Sequence, residues 1–194
     1  WRCETPLSNT ETKMDDVYRE RQDPAVTVGL KLKSDKPELA GVEALVWTTT
    51  PWTLPSNLAL AVGPEIEYAI FAKGEDRVAL GAAAAENYAS ELEGYSRIGS
   101  VRGAELAGRS YTPLYPFFAA TANAFRVLAA DFVNTEEGTG VVHLAPGFGE
   151  DDMAVWNPRL DTGGLTEADA KEARFLLWKG HCSVHQRFRP EHVD

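Results

Sequence analysis

The sequence has few cysteines and no long apolar run. Its only cysteines are Cys3 and Cys182, so a disulfide framework is excluded and both thiols are expected to be incidental. No stretch approaches the roughly 20 consecutive apolar residues that a membrane helix needs, and no basic start precedes a short apolar run with a cleavage site. We therefore expect a cytoplasmic chain without a membrane partner.

Positive charge is also scarce. The formal net charge is −10 and the isoelectric point is about 4.9. Proteins that hold nucleic acid by neutralising phosphates need clustered lysines and arginines, and this balance argues against that mode of binding. A polynucleotide that binds here would have to be held mainly by another part of a larger assembly.

What the sequence does contain is the hydrophobic pattern of a β-rich domain. Val26, Val28, Leu30 and Leu32 alternate with less apolar residues, which is the period of a half-buried strand. Further strands are predicted where short apolar runs lie between turn residues: 44–50, 58–62, 68–72, 77–80, 97–102, 125–133 and 140–144. We expect an up-and-down arrangement in a mixed α/β fold, with a curled or barrel-like sheet and flanking helices.

Helices are predicted at fewer places. Residues 82–92 are rich in alanine and lack Gly and Pro, so they favour a helix that Gly94 ends. A turn of helix is predicted over 103–107, and a helix starting at Asp151 is expected to break at Asn157-Pro158. The 194 residues suffice for about one domain with a core.

The composition changes near Trp156. The acidic excess lies in residues 1–156, whereas acidic and basic residues balance in 157–194. We therefore expect a main domain over 1–156 and an atypical C-terminal segment over 157–194. This segment is expected to be helical in part, with a helix from Thr166 to about Trp178 that a capping box opens.

The first candidate motif runs from Trp47 to Asn57, and its candidate site residues are Trp47, Thr48, Thr49, Thr50 and Trp52. Three threonines in a row usually indicate only a strand. Here the strand runs into Pro51, and its last backbone groups lose their ladder partners. Hydroxyls and amides at such a rim can bind a polar ligand or orient water. Thr48 and Thr50 are expected on one face and Thr49 on the other.

The second candidate motif runs from His143 to Asp152. A histidine on a buried strand is more often a core residue than a catalyst, and acidic residues at a helix start are more often caps. Together, however, they place an imidazole at a strand end and carboxylates just beyond the turn that contains Gly147 and Gly149. That arrangement suits a ligand with a positively charged amine.

In their residues and in their order along the chain, the two motifs resemble those of the editing domain (CP1) inserted into class I aminoacyl-tRNA synthetases, specifically that of isoleucyl-tRNA synthetase. The resemblance covers about residues 1–156. Its second motif, His-x-Ala-Pro-x-x-Gly-x-x-Asp, stands here as His143, Ala145, Pro146, Gly149 and Asp152. The valyl and leucyl relatives typically carry Thr-Thr-Arg-Pro followed by an acidic residue, and the valyl ones have lysine at the position of His143, so the isoleucyl family is preferred.

The resemblance implies hydrolytic proofreading: an aminoacyl-tRNA ester hydrolase that removes valine from tRNA(Ile) as the editing part of a ligase. It implies Thr48, Thr49, Thr50 and Asp152 as catalytic residues, with Asp152 pairing with the α-ammonium of the substrate. Trp47, Trp52 and His143 would bind substrate. The implied partners are the 3′ end of aminoacylated tRNA(Ile), valine or valyl-adenylate, and the rest of the synthetase. We expect a monomer with no cofactor and no metal.

Two features depart from a complete synthetase. The synthetic signatures His-Ile-Gly-His and Lys-Met-Ser-Lys-Ser are absent from this sequence, so we expect no synthetic site in it. After about Val155 the sequence no longer resembles the family. A pocket wall supplied by the family's later residues would be missing.

Other functions stay open at this point. One is a non-catalytic module that binds the aminoacylated tRNA 3′ end, and another is a metal-dependent hydrolase that uses His143 with Asp151 and Asp152. His181, Cys182, His185 and His192 match no strong zinc template, and a solvated tail is the better interpretation of them.

Overall fold

The fold is a mixed, β-rich sheet, as the sequence predicts. The computed structural model describes residues 25–121 and 123–162, with Ser8, Thr10 and Met14 individually. Within this part, the strands are β1 Val26–Lys33, β2 Val42–Thr48, β3 Ala59–Val62, β4 Glu67–Lys73, β5 Asp76–Gly81, β6 Ser96–Arg102, β7 Ser110–Tyr111, β8 Arg126–Ala129 and β9 Val141–Leu144. The helices are α1 Gly103–Leu106 and α2 Glu150–Thr162, and short 3-10 turns cover Pro37–Leu39, Pro51–Ser56, Ala82–Tyr88 and Pro116–Phe118.

Alternation along β2 fixes which of its side chains face the core. Val42, Val46 and Thr48 are buried on one face. β2 pairs with β1 in antiparallel register, with Val26 opposite Thr48. The strand ends at Thr48, and Pro51 opens a 3-10 turn. The Thr48 hydroxyl is therefore placed on the buried face, at the rim of the sheet.

The prediction of a closed or strongly curled up-and-down sheet was wrong. Among the described residues, the strand order is β6-β4-β5-β2-β1-β7-β8-β3-β9, with β6 and β9 at its two ends. β2 pairs with β5 in parallel, and so does β3 with β8. β1 pairs with β2 along most of its length and with β7 at its end. The alternation of apolar residues along a strand shows which of its faces is buried, but it does not show which strand lies beside it.

Three local predictions also need correction. Residues 82–92 form no α-helix; a 3-10 turn spans Ala82–Tyr88, because alanine propensity is a weak preference that a connection between strands overrides. The helix α2 continues through Asn157-Pro158, although an internal proline removes a backbone donor and crowds the preceding turn. The predicted strand over 125–133 is limited to β8. Gly94 has φ +81°, as expected of a glycine that ends a turn.

Two clusters of buried side chains hold the sheet together. β3 is buried on both faces, so Leu60 and Val62 join one cluster with β1, β2 and β4, while Ala59 and Ala61 join the other. Trp156 of α2 is 1% exposed and packs in this second cluster. It fixes the start of α2 beside the end of β9.

Several predictions lie outside the described residues. They are the helix from Thr166, both cysteines and the tail histidines. In the described part, no helix is long and apolar enough to cross a membrane.

Candidate functional site

A cavity of about 540 Å³ lies where the end of β2 meets β9 and the start of α2. It is lined by every residue that the sequence analysis selected for the site: Trp47, Thr48, Thr49, Thr50, Trp52, His143 and Asp152. The two motifs come together because β3 follows the first motif in the chain and pairs with β9, which carries the second. Leu60 of β3 lies opposite His143.

Threonine hydroxyls form a connected chain along one wall of the cavity. The Thr48 Oγ1 accepts the backbone N–H of Thr50 at 3.0 Å, and the two hydroxyl oxygens are 3.3 Å apart. The Thr50 Oγ1 is in turn 3.3 Å from that of Thr53. Thr49 is exposed, whereas Thr48 is buried, which agrees with opposite faces for these two residues. These hydrogen bonds hold the threonine hydroxyls in fixed positions.

Thr53 links these threonine hydroxyls to His143. It was not among the predicted site residues. Its hydroxyl donates to the carbonyl oxygen of Thr50 at 2.8 Å and lies 3.0 Å from the His143 Nε2. A hydroxyl has one proton to donate. Because the Thr50 carbonyl takes it, we assign the proton of the Thr53–His143 bond to Nε2. The signal that could have revealed Thr53 is its spacing of three from Thr50, which a 3-10 turn places side by side.

His143 is neutral and tightly enclosed. Its side chain is buried, and burial lowers its pKa to about 4. With Nε2 bonded to Thr53, its Nδ1 is buried and has no hydrogen-bond partner among the residues that the structure describes. A neutral imidazole suits a wall of a binding pocket at neutral pH.

Asp152 lines the same cavity from the first turn of α2. Its Oδ2 accepts the backbone N–H of Ala145 at 2.8 Å, which fixes the carboxylate beside the end of β9. Gly149 leaves the room for it, since a Cβ there would lie 2.9 Å from the Asp152 Cγ. Burial raises the pKa of Asp152, Asp151 adds to this, and the Ala145 N–H opposes it. A half-buried carboxylate of this kind gains from a cationic ligand.

Aromatic side chains complete the cavity. Trp47 packs against Gly138, where φ is +71° and a Cβ would lie 2.7 Å from the indole ring. Trp52, Phe132 and Phe148 line the cavity yet are exposed, Trp52 by 63%. They therefore stand at its mouth.

Comparison with known proteins shows which proteins this chain resembles. No protein-family model matches the chain. The chain is 56% identical over 159 residues to isoleucine–tRNA ligase of Mycobacterium tuberculosis, covering 80% of the chain and 15% of the relative. It is 50% identical to the Rickettsia canadensis enzyme over the same length. The chain thus spans about 15% of the length of these relatives.

Solved structures match as well. The crystal structure of GlLeuRS-CP1 has a TM-score of 0.61 at 20% identity and covers 77% of this chain and 64% of its own. The cytosolic leucyl-tRNA synthetase editing domain of P. knowlesi has a TM-score of 0.57 at 12% identity, with 75% and 67% covered. The chain matches a segment of isoleucine–tRNA ligase and has the fold of a class I synthetase editing domain.

Asp151 does not join the site. It is exposed and does not line the cavity, whereas Asp152 does. Among the side chains described over 25–121 and 123–156, no three His, Cys, Asp or Glu side chains group as a metal would require. The geometry therefore does not favour a metal-dependent hydrolase built on His143, Asp151 and Asp152.

The neutral state of His143 predicts a pH dependence of stability. Its pKa is about 4 in the folded protein against 6.5 ordinarily, so the unfolded chain takes up a proton first as pH falls. We expect the free energy of unfolding to fall by about 3 kcal/mol between about pH 6.5 and 4 from this group. Asp152 changes the free energy of unfolding in the opposite direction. Because its pKa is raised in the folded state, it stabilises the folded state as pH falls.

Urea unfolding of the wild type and of His143→Gln at several pH values isolates the histidine. The variant keeps Asp152 and a neutral side chain at 143, so its curve should lack this decline. Parallel curves for the two proteins would contradict a buried neutral His143.

Proposed function

We propose that this chain is a hydrolytic editing domain that deacylates valyl-tRNA(Ile) by attack of water on the aminoacyl ester. The domain would span residues 1–156, with 157–194 as an additional segment. The single observation that carries the proposal is the shared cavity of Thr48, Thr50, His143 and Asp152. The matched relatives are isoleucine–tRNA ligases, and the matched structures are synthetase editing domains.

The reaction needs little more than positioning. Water adds to the ester carbonyl carbon, the bond to the ribose oxygen breaks, and that oxygen leaves with a proton, giving valine and free tRNA. An ester is already activated relative to an amide, so orientation and stabilisation of the developing charge suffice. No covalent intermediate and no cofactor are required.

Asp152 would hold the α-ammonium of the substrate through a charge-assisted hydrogen bond. One carboxylate oxygen is already fixed by Ala145, so the carboxylate cannot turn freely when the amine arrives. The ester carbonyl is then presented to the opposite wall. Orientation of the reacting group is the catalytic contribution expected of this residue.

The threonines form that opposite wall. The exposed Thr49 and the linked hydroxyls of Thr48 and Thr50 would hold the terminal ribose and the attacking water. His143, neutral and fixed by Thr53, would line the side-chain pocket or bond the ribose. We assign it a binding role before that of a general base.

Selectivity would follow from size. One methylene is worth only about 1–3 kcal/mol to a binding site, and the discrimination of isoleucine from valine by isoleucyl-tRNA synthetase is the familiar example of this limit. A second, smaller pocket that accepts valine and not isoleucine would allow the wrongly attached valine to be removed. Packed walls of the kind formed by Trp47 on Gly138 resist deformation and would exclude the larger side chain.

The proposal is tested by deacylation of valyl-tRNA(Ile) beside isoleucyl-tRNA(Ile). We expect release of valine and retention of isoleucine. Binding of valyl-tRNA without turnover would instead support a non-catalytic module. Activity that chelator abolishes and metal restores would support a metal-dependent hydrolase.

Thr53→Val tests the connection between the two walls. Valine keeps the shape but removes the hydroxyl, which leaves a buried N–H of His143 without an acceptor. We expect the free energy of unfolding to drop by about 1–3 kcal/mol, with weaker deacylation. Thr53→Ser, which keeps the hydroxyl, should behave like the wild type in denaturant titrations; an equal loss in both variants would point to packing instead.

A further inference from the structure

Another cavity, of about 520 Å³, lies where the end of β1 meets β7 and the turn that follows α1. We call it the basic cavity. Its polar and charged lining residues are Lys33, Ser34, Asp35, Arg109 and Ser110. It shares no lining residue with the cavity of the candidate site described above. The basic cavity is therefore a separate feature of the surface.

Arg109 is half-buried and is held in the basic cavity by two hydrogen bonds. Its Nε donates to the carbonyl oxygen of Glu105 at 2.9 Å, and its Nη1 donates to the Ser34 Oγ at 2.8 Å. Both acceptors are uncharged, and among the residues that the structure describes no carboxylate forms an ion pair with Arg109. Two of the five N–H groups of the guanidinium are used, so three remain for a ligand.

Other donors of the basic cavity also have protons to spare. The Ser34 Oγ accepts both Arg109 and the backbone N–H of Lys36, the latter at 3.1 Å, so its own proton stays available for donation. Within the described part of the chain, the Lys33 ammonium and the Ser110 hydroxyl have no hydrogen-bond partner. The cavity therefore offers several donors for a ligand that carries acceptors.

The sheet places a further positive charge beside the basic cavity. Lys33 pairs with Ser110 and Ser110 pairs with Arg126, so the three side chains form one row across β1, β7 and β8 on the same face. Lys33 and Arg126 are exposed. The nearby carboxylate of Glu105 is bound to Lys36, at 2.9 Å. Positive charge is thus concentrated here, although the net charge of the chain is −10.

We propose that the basic cavity binds a small molecule through a phosphate monoester group. A guanidinium fork bonds two phosphate oxygens, and the Lys33 ammonium and the serine hydroxyls bond the others. The volume of about 520 Å³ lies in the range of small-molecule sites. A long polyanion is disfavoured, because beyond this region it meets a chain with a net charge of −10. The site is independent of the proposed deacylation.

Calorimetric titration of the chain with glycerol 3-phosphate tests the basic cavity. For Arg109→Gln we expect the Kd to rise roughly tenfold or more, because charge-assisted hydrogen bonds to the phosphate are lost. Lys33→Ala leaves the hydrogen bonds of Arg109 in place and should raise the Kd several-fold. Asp35→Asn removes the acidic side chain of the cavity and should lower the Kd. Arg97→Gln makes the same charge change on β6, and its Kd should stay near that of the wild type.

A single-stranded RNA with hydroxyl groups at both ends carries phosphodiesters only, so it separates nucleic-acid phosphates from a monoester. Tighter binding of this RNA than of glycerol 3-phosphate, with the same losses in the variants, would overturn the small-molecule site. Binding that does not saturate, an unchanged Kd in Lys33→Ala and Asp35→Asn, or an equal rise in Arg97→Gln would overturn it as well. No deacylation enters these titrations, so a failure of the proposed function leaves their result intact.

Discussion

Asp152→Asn is expected to abolish most deacylation of valyl-tRNA(Ile) while the domain stays folded. The asparagine oxygen can still accept the Ala145 N–H, so the start of α2 remains tied to the end of β9. What is lost is the negative charge that would hold the substrate ammonium. Losing one member of a partly buried charge pair costs about 2–5 kcal/mol, so kcat/KM should fall roughly 30-fold to several thousand-fold.

Two further variants locate the effect. Asp151→Asn removes a neighbouring charge that does not line the cavity, and its kcat/KM should stay within about twofold of the wild type. Asp152→Ala removes the backbone contact as well, so it should add a loss of about 1 kcal/mol in unfolding free energy. Wild-type rates in Asp152→Asn would refute the role assigned to this carboxylate.

Gly103→Ala should be the most disruptive single substitution at a glycine. A Cβ at this position would overlap the carbonyl oxygen of Gly63 and touch the Tyr68 ring. Gly63 follows β3 and Gly103 is the first residue of α1, and the Gly103 N–H also bonds the Ile66 carbonyl. Backbone cannot yield as a flexible side chain does, so we expect a loss of about 3 kcal/mol or more in unfolding free energy.

Gly99→Ala is the matched control, because a Cβ at Gly99 meets nothing within 4 Å. Its unfolding midpoint in urea should lie near that of the wild type. Equal stability of the Gly103 and Gly99 variants would mean that the backbone at Gly63 can move away to accommodate a Cβ at Gly103. The test concerns only the fold, and it is independent of the proposed activity.

The site could be foreseen because its two halves carry local signals. Each motif begins at the end of an apolar strand that runs into a proline, and such ends gather at the rim of a sheet. Thr53 escaped notice because Pro51 and Pro55 suggest an irregular loop. Only the 3-10 turn brings its hydroxyl between Thr50 and His143.

The fold was foreseen in its strands but not in their neighbours. The two-residue period of β1 and the apolar run of β3 are properties of the segments themselves. The parallel pairing of β3 with β8 depends on the intervening chain, which no local pattern records. Residues 82–92 were misjudged for the same reason: the connection from β5 to β6, not alanine content, decides their conformation.

The double burial of β3 has a consequence for how the chain acquires its structure during synthesis. Both partners of β3 come from residues 126–144, so its four apolar side chains have no ladder until that later stretch has left the ribosome. Such distant pairings form slowly, and a waiting apolar strand is prone to aggregate. The cavity that Thr48 and Asp152 line can therefore form only after β8 and β9 have been synthesised, and chains that stop short of β9 should be degraded.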